Sequence, residues 1–411
     1  MKPGPLLLLV LLHTHSASCL AVRSVNQNGG HAIEWPPTSK KATSWTPVAS
    51  LRSTFLPSGF PHKTPKNYLR YSLWNWIQDW STQLRAVVAT QRVLQGVGVG
   101  SADATALSAL LNFLVRDGCG MVASLMLTSV TASKFAADVK RWRLMADILV
   151  DLGLTLEWYA VQSYFLPLLC LGNMCKAMCG VAAGACGGPI ALYWAQGSDV
   201  ADVNAKAGAQ GTVTGGLGLI VAALFAKRMS SLSERYLWAW YSGLTAVHLF
   251  ANGRCMRLLE FDSLNTVRMN MVLSEYLQHQ RIPSRENVAQ REPLLFGSRP
   301  PRPTTKPIRF GISFNELVEQ SGDPIDVWHQ RIATSHDEPM FWVSSSPSGT
   351  INVSLSHRCT SRGKAEAYFA AVCLARGVSA SWDDFAEQCE SQGWDLSKTE
   401  LQSQGYEVTV R

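Results

Sequence analysis

Between Gly118 and Gly253 the chain holds five stretches without Asp, Glu, Lys or Arg: Gly118 to Ser133, Trp158 to Cys175, Ala177 to Ser198, Ala207 to Ala226 and Tyr236 to Gly253. A helix crossing a bilayer needs about twenty mostly apolar residues, so the last four qualify by length and the first is marginal. None is strongly Leu-rich, and Pro167, Pro189 and many glycines interrupt them. Ahead of them, "NYLRYSLWNWIQDW" repeats Tyr68, Tyr71, Trp74 and Ile77 at helical spacing and predicts an amphipathic helix running to about Gln95. Beyond Gly297 the pattern changes. "MFWVSSS" and "TINVSLS" read as strands around Pro347 to Gly349, and "SRGKAEAYFAAVCLARG" as a helix capped by Ser361 and stopped at Gly377. A helix from Trp382 to Ser391 and a closing strand "GYEVTV" complete a small α+β unit. The fold class expected is mainly α: a multi-helix, membrane-associated bundle with a small C-terminal α+β domain. A wholly soluble helical bundle is the alternative, because the uncharged stretches are only weakly hydropathic.

Glycine spacing shapes the expected packing. Gly180, Gly184 and Gly188, then Gly211 and Gly215, recur four apart, and Gly96 and Gly100 bracket "GVGVG". In lipid, where apolar burial gives helices little reason to associate, small residues at this spacing let helices approach closely. "GVGVG" lacks the Lys-Ser/Thr of a phosphate loop and no strand leads into it, so a nucleotide site is not expected.

The N-terminus carries processing signals. "MKPGPLLLLVLLHTHSASC" has one Lys, an apolar run from Leu6 to Leu12 and small residues at Ser16 to Ser18, the shape of a signal peptide. The next stretch, to Lys66, is rich in Ser, Thr and Pro, with Glu34 its only acid, as transit peptides are. Together they suggest a plastid reached through the secretory route. A disordered arm on an endoplasmic reticulum or other secretory-pathway protein has the same composition. The organisation expected is a signal peptide over 1–19, a transit-like or disordered segment over 20–54, a helical membrane domain over 55–296, a Pro-rich linker over 297–310 and the α+β domain over 311–411.

Composition and charge then narrow the chemistry. The hydrophobic fraction of 47% and mean hydropathy of +0.03 average over an uneven chain. From Pro300 onward ten Lys or Arg face fourteen Asp or Glu, so the positive excess lies in the apolar front part. No basic stripe interleaved with aromatics points to nucleic acid. Cys170, Cys175, Cys179 and Cys186 sit in apolar sequence at a spacing that matches no zinc pattern. No metal, cofactor or catalytic group is expected, since no nucleophile, base and orienting group occur together. His329, His336 and His357 read as ordinary loop histidines. The remaining candidates are ionisable groups beside the apolar segments. Arg143, Asp147 and Asp151 are successive i, i+4 neighbours on one helical face, and Asp202 and Lys206 repeat that spacing. Such groups either form structural ion pairs or line a polar pathway.

Several blocks in order also carry a resemblance. "LPSGFP", "NYLRYSLW", "ATQRVLQGVGVGSADAT", "RDGCGM", "KRWRLMADILVD", "ADVNAKAGAQ", "TAVHLFANGRCMRLLEFDSLN" and "YLQHQRIPSRENVAQREPLL" make residues from Leu56 to Leu295 similar to the root UVB sensitive family. "GVAAGACGGPIALYW" departs from it, with Cys-Gly-Gly-Pro where the family usually shows a threonine and an arginine. The resemblance implies a largely helical, membrane-associated protein. It also implies plastid association, links to light responses and vitamin B6, and pairing with another family member or with itself. It supplies no reaction and no catalytic residue. Two functions are therefore expected: a membrane scaffold or assembly factor without catalysis, or a transporter of a small organic or vitamin-like solute, whose identity the sequence leaves unknown.

Overall fold

The computed structural model describes residues 22–24, 33–35, 47–99, 105–131, 134–160, 164–196, 199–229, 232–295, 301–323 and 340–408. The chain forms two units, Met1–Thr54 and Phe55–Arg411. In the first, β1 (Val22–Ser24) pairs antiparallel with β2 (Ile33–Trp35), and α1 (Pro47–Phe55) begins. The signal-peptide segment 1–19, Gly100, His329 and His336 lie outside the described residues.

The second unit opens with six helices: α2 (Tyr68–Val97), α3 (Ala106–Thr131), α4 (Val139–Tyr159), α5 (Phe165–Trp194), α6 (Val200–Met229) and α7 (Glu234–Arg257). The end of α2 is set by Gly98, whose φ of 92° is left-handed and lets its N–H and that of Val99 close on Gln95 and Leu94 carbonyls. Pro167 lies in the first turn of α5, where its missing N–H has no intrahelical partner to lose, whereas Pro189 sits inside the helix. Helix α7 has Glu234 in its first turn and Arg254 and Arg257 in its last, each complementing the helix dipole.

The uncharged stretches do not map one to one onto helices. Trp158 to Cys175 is split, because α4 ends at Tyr159 and α5 starts at Phe165, so α5 takes most of that stretch and much of the next. Three helices are long and apolar enough to cross a membrane by length and composition: α3, α5 and α6 through Ala226. The stretch in α7 is not among them, while α3, marginal when only its uncharged part is counted, qualifies because the apolar pattern continues back to Ala106. Along α3 and α6 large apolar side chains face outward, Leu125 at 72% exposure and Leu224 at 73% being the extremes.

Close helix approach uses glycines other than those the four-residue spacing points to. A Cβ on Gly153 of α4 would stand 2.7 Å from the Gly172 carbonyl of α5, and one on Gly172 would stand 2.9 Å from the Gly153 carbonyl. At Gly96 the Cβ position would stand 2.6 Å from the Ala160 carbonyl and closer still to the Phe165 ring. Gly180, Gly184, Gly188, Gly211 and Gly215 have no atom within 4 Å of that position. Gly211 and Gly215 line a cleft between α5 and α6, whereas Gly180, Gly184 and Gly188 lie exposed on the surface of α5.

The remaining elements are β3 (Ser263–Asn265), α8 (Thr266–His279), α9 (Arg285–Arg291), β4 (Ile308–Phe310), α10 (Phe314–Ser321), β5 (Phe341–Ser345), β6 (Ile351–Ser356), α11 (Ser361–Arg376), α12 (Trp382–Ser391), β7 (Asp395–Glu400) and β8 (Glu407–Val408). β5 and β6 form the expected antiparallel pair, with Val343 opposite Val353. β6 also pairs in parallel with β4 and β8, and every residue of it is buried. The cap of α11 is Thr360, whose hydroxyl accepts from Gly363 N–H at 3.1 Å, not Ser361. β3 pairs in parallel with β7. Leu264, Met269, Val272 and Tyr276, from β3 and α8, share one apolar core with Phe369 and Val372 of α11, Phe385 of α12 and Val353 of β6.

A buried ionic knot ties the first turn of α4 to this core. Glu292 lies 2.8 Å from Lys140 Nζ and 3.1 Å from Arg268 Nε, and Asn265 donates to the Ala137 carbonyl at 2.8 Å. Burial opposes charge on Glu292, but Arg268 and Lys140 outweigh it and hold the carboxyl down to about 2 from 4.5. A depressed acid contributes stability that is complete above its unfolded value and lost as pH falls through the folded one. Glu292→Gln should therefore cost about 3–5 kcal/mol near neutral pH by leaving two buried cations unpaired, and remove the acid sensitivity due to this group between about pH 4.5 and about pH 2. Thermal unfolding of the purified chain across pH checks both. By the same method Gly153→Ala should cost about 1–3 kcal/mol, while Gly184→Ala should be nearly neutral.

Candidate functional site

The polar face of α2 starts the site. Gln78, Ser81 and Arg85 are buried at helical spacing, and Arg85 is fully enclosed. Its Nε donates to the Ser81 carbonyl at 3.1 Å, and Nη1 reaches Thr245 Oγ1 at 3.2 Å and Asp151 Oδ1 at 2.6 Å. The Tyr241 ring lies 5.8 Å from the guanidinium carbon. An arginine this deep keeps its charge only when carboxylate and hydroxyl partners replace water.

From Asp151 the network continues through α7 and back to α4. His248 Nδ1 stands 2.8 Å from Asp151 Oδ1, and His248 Nε2 stands 3.7 Å from Asp147 Oδ2. Asp147 is paired with Arg143 one turn earlier, and its other oxygen accepts from the Asn252 amide. The order Arg143, Asp147, His248, Asp151, Arg85 alternates basic and acidic side chains across three helices, with Asp147 and Asp151 both buried. A separate pair, Glu157 with Lys176, links α4 to α5.

Part of this network faces a cleft. A cavity of about 360 Å³ is lined by Asp79, Gln83, Arg143, Asp147, His248 and Gly215 among others. It adjoins a second of about 230 Å³, lined by Tyr68, Tyr71, Asn75, Trp194, Asn204 and Gln210. The two share Asp79, Arg143, Ala183 and Gly211, so one cleft runs between α2, α4, α5 and α6. Its aromatic end is rigid: Tyr71 and Trp194 rings lie 4.9 Å apart, Tyr68 and Trp194 5.4 Å apart, and Gln210 donates to Tyr68 Oη at 3.2 Å. Trp80 Nε1 donates to the Thr214 carbonyl at 3.0 Å and fixes α6 against α2.

Arg143, Asp147 and Asp151 are thus brought together on one face of α4. Asp202 and Lys206 stand elsewhere: they pair with each other at 3.5 Å, and Asp202 Oδ2 accepts the Ser58 N–H at 2.7 Å. That pair fixes the turn before α2. Sequence reasoning missed Asp79 and Arg85, which lay in a helix read for its aromatics, and His248 and Asn252, which sit in an uncharged stretch. The polar stripe Gln78, Ser81, Arg85 and the i, i+4 pair His248, Asn252 in an apolar helix were the available signals. Among the described residues no group of three or more His, Cys, Asp or Glu could hold a metal ion.

A family model described as "Vitamin B6 photo-protection and homoeostasis domain" matches residues 41–280, more than half of the chain. This chain belongs to the root UVB sensitive family. A second model, "Root UVB sensitive protein, C-terminal", matches residues 281–381. Protein root UVB sensitive 3 of Arabidopsis thaliana is 28% identical over 81% of this chain and 77% of its own length. Protein root UVB sensitive 2, chloroplastic, of the same plant is 30% identical over 76% and 70%. RUS family member 1 of Dictyostelium discoideum is 30% identical over 66% of this chain, which spans about half (51%) of that protein. No solved structure matches.

Loss of one partner from the network should be costly where no water can replace it. Asp151→Asn is expected to destabilise the purified chain by about 3–5 kcal/mol, because Arg85 would be left buried beside a neutral amide. Asp202→Asn should cost about 1 kcal/mol or less, since that pair is partly solvated. Chemical denaturation of both variants separates the two cases.

Proposed function

We propose that this chain is a multi-pass plastid membrane protein that takes a small polar solute into the cleft between α2, α4, α5 and α6. The observation that carries the reading is the charged wall of that cleft: Asp79, Arg143, Asp147 and His248 converge on one cavity beside α5 and α6, two of the three helices long and apolar enough to cross a membrane. Ionisable groups at such depth are costly and are retained where they bind or conduct something polar. Outward-facing apolar side chains on α3 and α6 suit lipid, and a chloroplastic relative supports the organelle. Vitamin B6 vitamers are the first solutes to test, because the matching domain model is described by that vitamin.

A scaffold or assembly role is the second reading. It is favoured by the same exposed face of α3, where Leu107, Leu114 and Leu125 could meet another family member or a second copy. The two readings differ in what the cleft charges do. On the solute reading, a bound vitamer raises the melting temperature of the purified chain, and Asp147→Asn abolishes that increment. A melting increment unchanged by Asp147→Asn, or none with any solute, favours the scaffold. Alkaline carbonate extraction is expected to leave the tagged chain in the membrane pellet; release into the supernatant overturns the membrane reading.

A further inference from the structure

Asp79 differs from every other carboxylate at the cleft. Asp147 is neutralised by Arg143, and Asp151, at its inner end, by Arg85 and His248. Asp79 has no ion pair among the described residues; its Oδ2 accepts from the Asn75 amide at 3.0 Å. Arg85 pairs with Asp151 and Arg143 with Asp147, so Asp79 is the cleft carboxylate that no basic side chain is paired with among the described residues. Its position adds to this, because Asp79 belongs to both parts of the cleft and so stands at their junction.

The walls around it suit a particular shape. On one side Tyr71 and Trp194 present aromatic rings, whose faces attract cations. On the other side α5 and α6 offer Ala183, Gly187 and Gly211, and no atom lies within 4 Å of where a Cβ would stand on either glycine. A flat or compact group can approach the backbone there. The aromatic part, about 230 Å³, is slightly below the usual range of ligand sites, about 300–1,000 Å³, which limits the ligand to a small one.

Resting on the solute reading above, we propose that the cleft takes a small organic cation, an alkyl- or arylammonium, with its charge on Asp79 and its apolar part against Tyr71 and Trp194. Arg143, which lines both parts of the cleft, is tied to Asp147 and leaves the Asp79 carboxylate to be matched.

The test places a reporter thiol at an open position, Gly211→Cys, in the otherwise native full chain in detergent, with the native chain giving the background from Cys179. Modification rates are compared for two methanethiosulfonate reagents of similar size, one bearing trimethylammonium and the other sulfonate. Benzylamine, benzyl alcohol and benzoate serve as protecting probes. The cationic reagent is expected to react about tenfold faster, the scale one favourable charge contact gives in a partly solvated cleft. Benzylamine alone should protect. Asp79→Asn should bring the two rates together, and Asp79→Glu should restore much of the difference, which a merely structural role would not do. If Asp79→Asn fails to fold, the rate ratio and benzylamine protection in the Gly211→Cys chain still decide. Equal rates, a faster anionic reagent, or protection by benzoate overturn the cation proposal while leaving an open solute cleft. No modification by either reagent means a closed cleft, which overturns both readings.

Discussion

The helical half of this protein depends on a demanding constraint: two buried aspartates, a buried histidine and a fully enclosed arginine must find one another across three helices. Each charge is tolerable only while its neighbour is in place. Arg85 fixes the rotation of α2 against α4, and His248 and Asn252 fix α7 against the same face. Apolar contacts would allow a slide or a small rotation at modest cost, but alternating charges do not. The network thus sets one register for α2, α4 and α7. It leaves α5, held to α4 by the Gly153–Gly172 crossing, an apolar core and the Glu157–Lys176 pair, and α6, fixed to α2 by Trp80, to shape the cleft.

The distribution of glycine follows the same division. Where α4 and α5 cross, Gly153 and Gly172 bring carbonyls close to the facing helix, and there a side chain is excluded. At Gly187, Gly211 and Gly215 nothing stands opposite, and the glycines instead widen the cleft between α5 and α6. One residue type thus serves close packing at one place and openness at another. The outcome depends on what stands opposite, which spacing alone does not encode.

That explains much of what was legible in the sequence. The helical class, α2 and the strand pair β5–β6 follow from local periodicity. The Arg143, Asp147, Asp151 face follows from i, i+4 geometry within one helix. Arg85 and His248 are joined to it from positions 66 and 97 residues away from Asp151, a juxtaposition that only tertiary packing creates. Asp202 and Lys206 show the converse. Their local spacing is as good as that of Arg143 and Asp147, and it is realised, but the Asp202 carboxylate is engaged with Ser58 while Val203, Asn204 and Ala207 of the same helix end line the cleft. Family membership was readable because it rests on ordered blocks of sequence, independent of which side chains meet.

The shared core of α8 and the C-terminal helices has a bearing on how the chain is made. β3 pairs with β7, and Tyr276 rests on Phe385, so residues near 270 wait for partners that leave the ribosome more than a hundred residues later. Until then Leu264, Met269 and Val272 have no cover from that side. Contacts so distant along the chain form late and slowly. The seam between the two matched family models, at residues 280 and 281, is thus crossed by a core that neither side can complete during synthesis without the other. A stop between Pro301 and Thr360 would leave the apolar face of α8 without the α11 and α12 side chains that cover it.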